Sequence, residues 1–64
     1  MTKEKIAFAK RADIFIVHYG DNASKEFANY PEAANFYNEH LSDDYVEICA
    51  ISGIVGLTLA YHKK

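Results

Sequence analysis

Residues 45–61 read YVEICAISGIVGLTLAY, and the way this stretch pairs with itself decides the fold. A two-residue turn at Ser52-Gly53 would set Ile51 opposite Ile54, Cys49 opposite Gly56, Glu47 opposite Thr58 and Tyr45 opposite Ala60. One face then carries Val46, Ile48, Ala50, Val55, Leu57, Leu59 and Tyr61. The other carries Tyr45, Glu47, Cys49, Ile51, Ile54, Gly56, Thr58, Ala60 and His62. The first set is apolar except for one phenolic hydroxyl. Such sorting at period two is what a sheet with one dry face requires. The same stretch holds the most membrane-like run of the chain, Ile48 to Tyr61, which is uncharged and precedes Lys63-Lys64. It spans 14 residues, whereas a crossing helix needs about 20. A membrane helix also has no reason to alternate. A membrane partner is not expected, and a membrane-associated role is kept as a third reading of lower weight.

Working outward, a helix is predicted over residues 31–42. Pro31 suits the first turn, and Glu32 sits at the positive end of the dipole. Ala33, Phe36, Tyr37, His40 and Leu41 recur at three and four, and Ser42-Asp43-Asp44 ends the run. Ile14 to Tyr19 is β-branched and aromatic, apolar on both faces, and reads as an interior strand. Residues 20–24 form a turn, and Lys25 to Ala28 return as a short strand with Phe27 inward. The first dozen residues suit either element. Ile6 and Phe8 alternate with Ala7 and Ala9, which favours a strand, while the composition also favours a helix. We take the strand. The expectation is one α+β domain over residues 1–64, a small antiparallel sheet of four or five strands. One helix packs on one face, in the order β-β-α-β-β.

Sixty-four residues bury only roughly 60% of the unfolded surface. Cys49 is the sole cysteine, so no internal disulfide reinforces the fold. A homodimer is therefore as good an expectation as a monomer. The lone thiol and the lack of an apolar leader segment point to a cytoplasmic location.

The net charge of −2 hides a segregation. Residues 1–12 sum to +3, residues 13–47 to −7, and Lys63 with Lys64 adds +2. Glu32, Glu39, Asp43 and Asp44 would present carboxylates to a basic partner, with Tyr45, Ile51 and Ile54 as apolar docking residues. The basic ends give the alternative. Lys3, Lys5, Lys10 and Arg11 would contact nucleic-acid phosphates, although a pI near 5.8 argues against a dedicated nucleic-acid module.

Catalytic signatures are absent. His18, His40 and His62 stand far apart in sequence and none pairs closely with Cys49, so no metal site is expected. Cys49 reads as a small residue of the sheet, because Glu47 on the same face would suppress its thiolate. No cofactor motif is present and no enzyme is expected. The sequence favours a small protein–protein interaction module, an adaptor or inhibitor of the kind mobile elements encode. A nucleic-acid accessory domain is the alternative.

Overall fold

The computed structural model describes residues 2–64. Its elements are α1 (Lys3–Arg11), β1 (Ile14–Tyr19), β2 (Ala23–Phe27), α2 (Tyr30–Glu39), β3 (Tyr45–Ser52) and β4 (Val55–Lys63). The strands form an antiparallel sheet in the order β2-β1-β3-β4. Both helices pack on one face, α1 over β3 and β4, α2 over β1, β2 and β3.

The first segment is a helix, which corrects the strand expected there and raises the helix count from one to two. Thr2 caps it, its hydroxyl accepting from the Lys5 N–H at 3.2 Å. Glu4 in the first turn and Lys10 and Arg11 in the last both complement the dipole. Phe8, Ala9 and Ala12 reach the core, at helical spacing, whereas Ile6 is exposed. The apparent alternation of Ile6 with Phe8 is thus not a sheet pattern. The second helix starts where Pro31 and the Asn29 cap put it, with Asn29 Oδ1 accepting from the Glu32 N–H at 3.1 Å. It stops at Glu39, earlier than the sequence suggests. His40 leaves the helix, and its ring stacks on Phe36 and Tyr19.

The β3–β4 hairpin turns through Gly53-Ile54, not Ser52-Gly53, so that Ser52 faces Val55 and Cys49 faces Thr58. Gly53 supplies the left-handed φ of 61°. Its N–H is held by the Asp13 carboxylate at 3.0 Å. Moving the turn by one residue leaves face parity intact, so the predicted sets survive as far as Leu59. A bulge between Ile48 and Cys49 then shifts the pairing. Beyond it Ala60 and His62 pair with Ile48 and Val46 of the dry face, and Tyr61 pairs with Glu47 on the other. Tyr61 therefore leaves the dry face to which the sequence assigned it, and Ala60 and His62 join that face.

The core is Phe15, Val17, Ala33, Val46, Ile48, Ala50 and Leu59, with no polar residue among them. Phe27 and Phe36 extend it towards β2, and the Lys25 amine lies 5.6 and 5.3 Å from their ring centres. Lys25 thereby closes the edge beside β2 with a cation over two aromatic rings.

Candidate functional site

Alternation places a second set of residues on the sheet face that carries no helix. Cross-strand pairs define it: Ile14 with Ile51, Ile16 with Cys49 and His18 with Glu47 between β1 and β3. Across β3 and β4 the pairs are Ile51 with Gly56, Cys49 with Thr58, Glu47 with Tyr61 and Tyr45 with Lys63. On the far side Ile16 faces Glu26 of β2 and His18 faces Ser24. The face is graded. Its end near the β3–β4 turn holds Ile14, Ile16 and Ile51, with Ile54 fully exposed at the tip. The opposite end holds His18, Glu47, Tyr45, Tyr61 and Lys63. Gly56 matters to the apolar end, because the Ile51 Cδ1 lies where a Cβ on residue 56 would come within 3.0 Å of it.

Between the two ends the register gathers His18, Glu47 and Cys49. One donor atom from each lies within 4.8 Å of the others. The Thr58 hydroxyl donates to Glu47 Oε2 and lies 3.8 Å from the Cys49 sulfur. A hollow of about 280 Å³, lined in part by His18, Tyr45 and Glu47, opens beside the group. Partial burial pushes the Cys49 thiol above its ordinary value of 9.0; Thr58 offsets part of this and Glu47 adds to it. At neutral pH the thiol keeps its proton, so Cys49 beside His18 is not an activated nucleophile. Desolvation, followed by the Glu47 carboxylate, likewise raises the Tyr45 phenol above 10.0.

The residues predicted for partner binding fall on two surfaces. Tyr45 and Ile51 lie on the uncovered face, and Ile54 lies at its tip. Glu32 and Glu39 belong to α2 in the helical layer, and Asp43 and Asp44 to the loop after it. That loop meets the β1–β2 turn, so Asp21 joins Asp43 and Asp44 around a second hollow of about 380 Å³. The predicted nucleic-acid residues Lys3, Lys5, Lys10 and Arg11 all lie on α1. Among the described residues the one close contact between a basic and an acidic side chain is the hydrogen bond of His40 Nδ1 with Asp43 Oδ2, at 2.9 Å.

The gathering of His18 with Glu47 and Cys49 is not anticipated by sequence spacing. Period two puts Glu47 and Cys49 on one face, but only the pairing of β1 with β3, in this register, adds His18. Ile14 and Ile16 enter the site for the same reason. Comparison with known proteins finds no matching family model and no matching curated protein or solved structure.

Proposed function

We propose that this chain is a small protein-binding module, an adaptor or inhibitor, that receives a basic protein partner on its uncovered sheet face. The carrying observation is that face itself. Ile14 and Ile51 pair across the strands where no helix covers them, Ile16 lies on the same face opposite Cys49, and the exposed Ile54 projects beyond them. Apolar residues gathered in one patch beside polar ones are characteristic of docking surfaces. Charge complementarity argues for a basic partner. Glu26 and Glu47 lie within the face, and Asp21, Asp43 and Asp44 beyond its polar end. Lys63, paired with Tyr45, and Lys64, whose N–H donates to the Asp44 carbonyl, oppose them at that end. Tyr45, Ile51 and Ile54 would make apolar contact, and Asp43 and Asp44 would meet a basic rim. Glu32 and Glu39, in the other layer, would act by long-range steering only.

The test is capture from the source cell with the wild-type chain and with Ile16→Lys and Ile51→Lys variants, followed by affinity measurement on the purified pair. The reading expects one basic protein bound by the wild type, with affinity lowered at least about tenfold by either lysine. A partner retained undiminished by both variants would overturn it. So would a chain that self-associates through this face in sedimentation experiments.

One observation favours a second reading. Helix α1 concentrates Lys3, Lys5, Lys10 and Arg11 in a single element, none of them in an ion pair among the described residues. Phosphate contact through this helix would give weak binding that disappears steeply with salt. Anisotropy measurements with generic DNA and RNA at low salt address it, and a flat titration would remove it.

A further inference from the structure

The group at the centre of the uncovered face combines an imidazole, a carboxylate and a thiol, and none of the three is among the buried core residues. We infer that His18, Glu47 and Cys49 form a three-ligand site for one divalent transition-metal cation of the zinc class. This goes beyond the docking role of the same face.

The donor set selects the metal. Calcium and magnesium prefer shells of oxygens, usually six or more. One nitrogen, one oxygen and one sulfur suit zinc and its spectroscopic substitute cobalt. The spacing is close to what such a cation needs. Bonds of about 2.0–2.3 Å in a tetrahedron put ligand atoms roughly 3.3–3.8 Å apart. Here they stand within 4.8 Å, so side-chain rotation of about 1 Å completes the contact. His18 is exposed and free to make that adjustment. Its partners project from β3, which is paired with β1 on one side and β4 on the other.

Thr58 acts as the supporting residue. By donating to Oε2 of Glu47 it orients the carboxylate and leaves the second oxygen for the cation. The hollow lined by His18, Tyr45 and Glu47 provides the approach. With three protein ligands the fourth position stays open to water, the arrangement of a site that exchanges ligands and not of a closed structural one. Binding forms the metal–sulfur bond as the S–H bond of Cys49 breaks, and the proton passes to the buffer. One proton is therefore released per cation.

The experiment is a Co²⁺ titration of the untagged chain under reducing, oxygen-free conditions. The expected result is a thiolate-to-cobalt charge-transfer band that saturates at one cation per chain and is abolished by Zn²⁺. Cys49→Ser should remove the band. His18→Ala and Glu47→Gln should each weaken apparent affinity by at least about 100-fold, and Thr58→Val by about tenfold. His62→Ala should change nothing. His18 is exposed, so its alanine variant keeps the fold and is decisive by itself. Absence of the band overturns the proposal, as does undiminished affinity in His18→Ala. Saturation at one cation per two chains also overturns it, since that would indicate a bridge between thiols of separate molecules.

Discussion

The two faces of this sheet are built from the same strands and come out differently. On one, Phe15 and Val17 of β1 meet Ala50 and Ile48 of β3, and all four are nearly or fully buried. On the other, Ile14 and Ile16 meet Ile51 and Cys49 from the same two strands and remain only half-buried. The backbone ladder is shared, so the difference lies in what covers each face. The helical layer removes water from the first. On the second, neighbouring side chains shield one another only sideways. The first face tolerates no polar residue in its centre, while the second holds His18, Glu47 and Thr58 beside its isoleucines. Stability is concentrated on the covered face, and chemistry is free to occupy the other.

A matched pair of substitutions gives the largest contrast. Ile48→Ala removes a side chain that is 2% exposed and should cost about 2–5 kcal/mol. Ile16→Ala removes the same side chain from the uncovered face of the neighbouring strand and should cost about 1 kcal/mol. Urea denaturation monitored by circular dichroism measures both. Equal costs would mean that the uncovered face is covered in solution, and concentration dependence would then identify self-association.

The caps of the two helices give an intermediate effect, since the helices are what distinguish the faces. Thr2→Ala and Asn29→Ala each leave one helix N–H without its partner. Each should cost about 1 kcal/mol. The losses should add, because the two caps lie on separate helices whose strand contacts overlap only at β3. A large departure from additivity in the double variant would show that the helical layer acts as one unit.

The contrast between the faces also governs what was legible in the sequence. The dry face was readable because burial imposes alternation on Val46, Ile48 and Ala50 and again on Leu57 and Leu59. Even the misplaced turn did no harm, since moving it by one residue preserves parity. The bulge beyond Leu59 was not readable. Its extra residue leaves no mark in composition, so Tyr61 was assigned to the wrong face. Helix α1 was misread for a related reason. Its buried contacts are few, namely Phe8, Ala9 and Ala12, and with so short a stripe the exposed Ile6 was enough to imitate a strand. The candidate site was the least legible part. Its members come from β1 and β3, which are separated in the chain by β2 and α2. Their meeting depends on which strands become neighbours, a property of the packed sheet and not of any local pattern.

The smallest expected effect lies at the centre of the uncovered face. Burial, and to a lesser degree the Glu47 carboxylate, hold the Cys49 thiol above 9.0. Glu47→Gln keeps the shape and removes the charge, so the thiol should ionise at lower pH than in the wild type. The pH profile of Cys49 alkylation should move in that direction. Stability follows the same sign. In the unfolded chain the thiol ionises near 9.0, and in the folded chain only at higher pH. Its contribution is complete below the unfolded value and is lost as pH rises through the folded one. Tyr37 and Tyr45, both raised above 10.0, act in the same sense further up the scale. Wild-type stability should therefore decline from about pH 9 upward, and Cys49→Ser should flatten the first part of that decline. Alkylation profiles that coincide in wild type and Glu47→Gln would place the carboxylate out of reach of the sulfur, contrary to the cross-strand geometry that brings them together.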